Sequence, residues 1–259
     1  MTAGLIDTHC HLGDEAFDAD RAAVIARAHE RGVEHALVVG QNPGENERVL
    51  ELVAEDGHGG FLLAACGQHP DQPDEAAAAR SLEIARRNAA RLSGLGEVGL
   101  DRFKVKDDDG RAAQLRIFEA FICLSLETGL GLSVHSRSAG HYAVDALIAN
   151  GRPKAVLHAF DGKHAYATRG FEEGGLLFSI PPSIVRSKQK QDLVRALPLD
   201  ALLLESDAPV LGPDRDQRNE PANIVLSLDA IAEIKGVERE EAAAVTTRNA
   251  RSVFRCADV

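Results

Sequence analysis

Two histidines stand two residues apart near the start of the chain, His9 and His11 in Asp-Thr-His-Cys-His. On an extended backbone such residues project from one face, so both imidazoles can reach a single ion, and Asp7 shares that face. Groups of the same chemical kind recur further along: His69 in Gly-Gln-His-Pro, Glu97 in Gly-Leu-Gly-Glu-Val-Gly-Leu, His135, His158, and Asp207 in Leu-Leu-Leu-Glu-Ser-Asp-Ala-Pro. Imidazoles with carboxylates are donors for divalent metal ions, and such ions activate water for hydrolysis. Each group also has an ordinary reading. His9 and His11 are as easily structural as ligating, His135 and His158 suit core histidines bonded to backbone, and Asp207 suits the start of a turn before Pro209. Glu97 is the sharpest clue, because a carboxylate in an apolar strand is strongly disfavoured without a cation or hydrogen bonds. His29, His35, His58, His141 and His164 fall on helices, strand starts or loops and receive no role.

The elements that must position these groups are short apolar runs alternating with longer segments of helical period. Eight runs read as strands: residues 5–9, 35–39, 61–66, 95–100, 132–135, 155–159, 176–180 and 201–205. Between them lie amphipathic segments such as 16–31, 74–91 and 112–127, and two helices follow the last strand over 221–235 and 239–254. Eight βα units predict an α/β fold of the (β/α)8 TIM-barrel type, read as one domain over residues 1–259. In that fold the active site lies at the C-terminal ends of the strands, where the histidines and acids named above fall. Their convergence on one rim is costly unless something cationic is bound among them. Residues 57–60 and 107–110 read as exposed loops.

Composition narrows the function classes. The chain of 259 residues is 44% hydrophobic and 27% charged, enough apolar material for a large core. A net charge of −11 opposes broad coating of nucleic acid, and 4% aromatics without tryptophan poorly supply a platform for stacking successive bases. Four scattered cysteines form no CxxC pair, so reduced thiols and a cytoplasmic location are expected. There is no signal-like segment and no run of membrane-spanning length; a soluble monomer is the default expectation.

The combined motifs resemble the TatD-type metal-dependent deoxyribonucleases within the amidohydrolase-like barrels. The likeness covers nearly the whole chain, through DTHCHL, GQHP at 67–70, GEVGLD at 96–101, VHSR at 134–137, LHAFDG at 157–162, LLLESDAP at 202–209, RNEP at 218–221 and TTRNARSVF. It implies two divalent ions per chain, with His9, His11 and Asp207 on one, His135 and His158 on the other, and Glu97 bridging both. His69 resembles the family's additional histidine near the substrate phosphate. The chain departs from the pattern at Ser138, at residues 102–104 and at Asp161, where substrate contacts are expected.

Such a site would carry about +2, or about +1 with a bridging hydroxide, attracting a phosphodiester despite the acidic whole. Asp207 is the candidate general base, and Asp207 with Glu97 makes up the expected catalytic pair. Arg137 and Arg218 are candidate phosphate contacts, and Arg186, Lys188 and Lys190 candidates for tracking a flexible strand. Glu220 reads as a helix-start residue. The donor set suits Mg, Mn or Zn. The implied activity is hydrolysis of DNA, single-stranded or from ends. An ester or amide hydrolase on the same barrel, such as an aminoacyl-tRNA deacylase, and a non-catalytic interaction protein with a vestigial site are the alternatives.

Overall fold

The computed structural model describes residues 4–55 and 60–256; His58 and most of the loop expected at 57–60 lie outside the described residues. Eight parallel strands follow one another around a (β/α)8 barrel in the order of the chain. They are β1 (Leu5–Cys10), β2 (Val33–Val39), β3 (Leu62–Cys66), β4 (Gly94–Gly99), β5 (Leu132–His135), β6 (Ala155–Leu157), β7 (Leu177–Ile180) and β8 (Leu202–Leu204). The α-helices are α1 (Arg21–Glu30), α2 (Pro43–Ala54), α3 (Glu75–Arg87), α4 (Asp108–Thr128), α5 (Gly140–Ala149), α6 (His164–Gly174), α7 (Lys188–Ala196), α8 (Ile224–Lys235) and α9 (Arg239–Val253). No helix among the described residues is long and apolar enough to cross a membrane, and Cys10, Cys66 and Cys123 are free thiols.

Parallel strands buried on both faces need apolar residues on both, and the core accordingly splits into two sets that alternate along the strands. Leu5, Leu62 and Leu202 belong to the larger set, whereas Ile6, Leu63 and Leu203 belong to a smaller one. The smaller set also contains Val253 and Phe254 from the end of α9. A side chain at Gly94 would meet the Phe254 ring, and one at Gly131 would meet Val253. The last helix therefore covers the floor of the barrel, where β4 and β5 begin, and leaves the opposite mouth open.

Between β8 and β1 the seam is drawn together beyond the strand ends. The Asp207 N–H donates to the His9 carbonyl at 2.9 Å, the His11 N–H to the Ala208 carbonyl at 2.8 Å, and the Thr8 hydroxyl to the Leu204 carbonyl at 2.8 Å. These bonds bring the first and last predicted site residues side by side.

Strand positions agree with the apolar runs to within two residues, but helix starts differ where capping side chains act. Residues 16–31 divide into a 3₁₀ turn at Glu15–Phe17 and α1, with the Asp14 carboxylate accepting from the Ala16 N–H. The loop expected at 107–110 is instead the beginning of α4: Asp107 is its N-cap, accepting from the Gly110 N–H at 2.7 Å. The acids that read as a solvated loop complement the positive end of a helix. Asp107→Ala is expected to cost about 1 kcal/mol of stability, seen as a lower denaturation midpoint with an unchanged slope.

Candidate metal centre

Seven predicted residues from the ends of six strands meet at the barrel mouth. The Nε2 atoms of His9 and His11 lie 3.3 Å apart. Asp207 Oδ1 stands 3.6 Å from the first and 3.4 Å from the second, and Glu97 Oε2 stands 3.8 and 3.6 Å away. On the other side of Glu97, Oε1 is 2.9 Å from His135 Nδ1 and 2.8 Å from His158 Nε2, which are 3.2 Å from each other. His69 Nε2 approaches the same oxygen at 3.6 Å. The two carboxylate oxygens of Glu97 thus face two separate nests of nitrogen donors.

Three overlapping groups offer donor atoms within 4.8 Å of one another: His9 with His11 and Asp207, His9 with Glu97 and His158, and His69 with Glu97 and His135. The chemistry of this donor set fits divalent cations. Donor atoms separated by 3.3 to 3.8 Å suit a tetrahedral shell, whose donor spacing is about 3.4 Å for bonds of about 2.1 Å. Buried nitrogens facing one another need a proton or a cation between them.

Polar neighbours hold the rings so that chosen nitrogens face inward. The Nδ1 of His9 meets the Ser133 hydroxyl at 2.8 Å, and the Nε2 of His135 meets Asp101 Oδ2 at 3.1 Å. Such partners set tautomer and ring orientation at metal sites. His158 has Glu205 Oε2 at 3.9 Å from its Nδ1. Glu205 also accepts from the Ala159 N–H and the Ser179 hydroxyl, and the Lys190 ammonium bonds the carbonyls of Ala159 and Phe160. The turn after β6 is clamped from both sides, holding Ala159 at φ 41°, a left-handed conformation that costs energy for a residue with a Cβ.

Electrostatics point the same way. Burial alone would lower His11, but the Asp207 hydrogen bond and the charge of Glu97 raise it to about 9. Burial likewise opposes protonation of His135, while Asp101 and Glu97 raise it to about 9. Burial would push the Glu97 carboxyl up; the surrounding imidazoles of His69, His158 and His135 hold it well below the usual range. The mouth is built to keep positive charge beside Glu97, and a proton and a metal cation compete for the same lone pairs there.

Other expected residues are placed differently. His69 reaches the cluster itself, with its Nδ1 2.8 Å from Asp71. Arg137 is exposed just past His135, its guanidinium on the Phe103 ring. Arg218 is turned to the outer wall, bonding the Ala16 carbonyl and Asp20 Oδ2. Asp7 does not join the donors; buried and raised to about 7 by desolvation, it accepts from the Ser206 N–H and hydroxyl and from the His9 N–H, tying β1 to the segment after β8. Lys190 is buried on its carbonyls and Arg186 bonds those of Gly212 and Pro213, so neither is free to follow a strand. Glu220 precedes a 3₁₀ turn and is gripped by Arg27.

Asp101 and Gln41, whose amide donates to Glu97 Oε2 at 3.0 Å, had no role in the sequence reading. Asp101 stood inside the GEVGLD motif, yet only its place beside His135 distinguishes it. Gly67 is a further requirement: a Cβ there would lie 2.4 Å from the Glu97 carbonyl. Gly67→Ala is expected to cost about 3 kcal/mol through overpacking and to reduce metal content, measured by calorimetry and elemental analysis of the same preparation.

The family model described as TatD related DNase matches residues 6–255. The chain belongs to the TatD-related DNase family. It is 40% identical to human deoxyribonuclease TATDN3, over 97% of this chain and 94% of that protein. It is 31% identical to the 3'-5' ssDNA/RNA exonuclease TatD of Erwinia amylovora, over 96% of this chain and 99% of that one. The crystal structure of YJJV, a TatD homologue from Escherichia coli, superimposes with a TM-score of 0.88 at 27% identity, covering 99% and 100% of the two chains. In this TatD family member the motif histidines and acids are those that converge at the mouth.

Proposed function

We propose that this protein is a metal-dependent phosphodiesterase that removes nucleotides from the ends of single-stranded DNA. The observation that carries the reading is Glu97, one carboxylate whose oxygens face separate donor groups 3.6 Å from His11 and 2.8 Å from His158. His9, His11 and Asp207 would hold one divalent cation, His135 and His158 a second, with Glu97 shared and His69 beside it. Bound cations of this kind lower the pKa of water and polarise a phosphoryl oxygen.

The chain's own groups do the rest. Asp207 Oδ1, 3.6 Å from His9 Nε2 and 3.4 Å from His11 Nε2, accepts the proton of the attacking water. As the new P–O bond forms and the ester P–O bond breaks, that proton passes to the departing alkoxide oxygen, so the carboxylate is regenerated. A cleft of about 520 Å³ beside His11, lined also by Gln41, Arg48 and Pro209, has room for a nucleotide unit. Asp101 and Ser133 keep the inward nitrogens aimed and touch no substrate.

The test is digestion of end-labelled single- and double-stranded oligonucleotides by chelator-treated protein resupplied with Mg, Mn or Zn. A ladder of successive shortening from one end, dependent on the added ion and faster on single strands, is expected. Turnover unaffected by chelation, or cleavage confined to carboxylic esters and amides, would overturn the reading. The exonuclease named in Erwinia amylovora and the deoxyribonuclease named in human support the choice of substrate.

A further inference from the structure

We propose that the loop after β4, with the end of β5, forms a cationic ridge that grips the phosphates of a single polynucleotide strand beyond the bond being cut. This rests on the hydrolase reading above and says how the strand is held. The Arg102 guanidinium lies 3.0 Å from the centre of the Tyr142 ring, and that of Arg137 lies 3.8 Å from the centre of the Phe103 ring, which Lys106 also approaches at 5.1 Å. Among the described residues, Arg102, Lys104, Lys106 and Arg137 have no carboxylate within 4.0 Å.

A guanidinium laid on an aromatic face is held by the ring's quadrupole while its N–H edge stays open to oxygen acceptors. Arginines elsewhere are committed differently: Arg86 and Arg116 sit on carboxylates, and Arg218, although over Phe17, is bonded to Asp20. The rings themselves are unusual, since Phe103 is 48% and Tyr142 37% exposed. Exposed aromatics that add nothing to the core are accounted for by the cations they hold.

The ridge is tied to the metal centre. Asp101 accepts from the N–H groups of Phe103 at 2.8 Å and Lys104 at 2.7 Å, while its Oδ2 meets His135 Nε2 at 3.1 Å. The Arg102 N–H donates to the Arg137 carbonyl at 3.0 Å, locking the two loops together. Of the three acids that follow, Asp107 is turned to the start of α4, Asp108 to Arg111, and the charge of Asp109 acts on Arg116, so none is paired with a ridge cation. In a chain of net charge −11, open cations fastened beside a hydrolytic centre fit a repeated anion that continues away from it, as phosphates along a strand do.

The experiment measures binding of a labelled single-stranded DNA of about 12 nucleotides to the chelator-treated full chain, from about 50 to about 200 mM salt. The Arg102→Gln/Lys104→Gln variant is expected to bind about tenfold more weakly at low salt, with the slope of log K against log salt reduced by about 1.4, about 0.7 per lost phosphate contact. Phe103→Ala, which removes a ring but no charge, is expected to weaken binding about threefold with little change in slope. Arg86→Gln/Arg116→Gln, equal in charge removed, is the control for a general field effect. A ridge variant indistinguishable from wild type or from that control overturns the proposal, as does equal competition by polyglutamate of matched charge. Protein that fails to cut DNA but loses slope in the ridge variant keeps the ridge and refutes the hydrolase reading. Cutting with no loss of slope refutes the ridge alone.

Discussion

Glu97→Ala is expected to abolish metal binding and turnover together, with kcat down about 10,000-fold, the equivalent of about 5 kcal/mol in activation free energy. Its oxygens are the meeting point of both donor groups, within 3.8 Å of four imidazoles across the mouth, in addition to His69. Without them His9 and His11 have only Asp207 as an anionic neighbour in the cluster, and His135 has only Asp101. A smaller change separates charge from shape. Glu97→Gln keeps the volume and one oxygen but removes the shared anion, and is expected to hold about half the metal of the parent chain. Elemental analysis after dialysis, with turnover measured on the same sample, checks both variants; parental metal content in Glu97→Ala would refute the bridging role.

Asp207→Asn is expected to behave differently, with turnover reduced about 1,000-fold while most of the metal remains, because an amide oxygen can still ligate but cannot take up a proton. Four imidazoles and Glu97 persist around the neighbouring positions in that variant. The discriminating measurement is the ratio of metal retained to kcat retained, which is far above that of Glu97→Ala. Asp207 also sits at φ 52°, a left-handed conformation that asparagine tolerates well, so the substitution leaves the turn before Pro209 intact. Equal loss of metal and rate would make Asp207 a ligand alone.

The two variants and the ridge variants probe separate parts of one mouth. The first two act where donors meet; the ridge acts on how strongly a strand stays, through cations that never touch Glu97. Asp101 links them, since its carboxylate holds both His135 and the loop that carries Phe103 and Lys104.

Much of this was legible in the residues alone. Apolar runs alternating with segments of helical period determine βα units, and eight of them determine a barrel, because parallel strands buried on both faces require that pattern. The chemistry of the centre was equally local: a carboxylate in an apolar strand and histidines at strand ends have few compatible environments. The motif resemblance already implied how the donors divide around Glu97; tertiary structure alone decided which nitrogen each ring turns inward and which neighbours do the turning. It also placed Arg218 on Asp20, Lys190 on backbone carbonyls and Arg137 on a ring, although all three read alike as cations near strand ends. The reason is geometric. Spacing along the chain dictates which face of an element a side chain occupies, but its partners come from elements far away in order, and the twist and closure of the barrel select them.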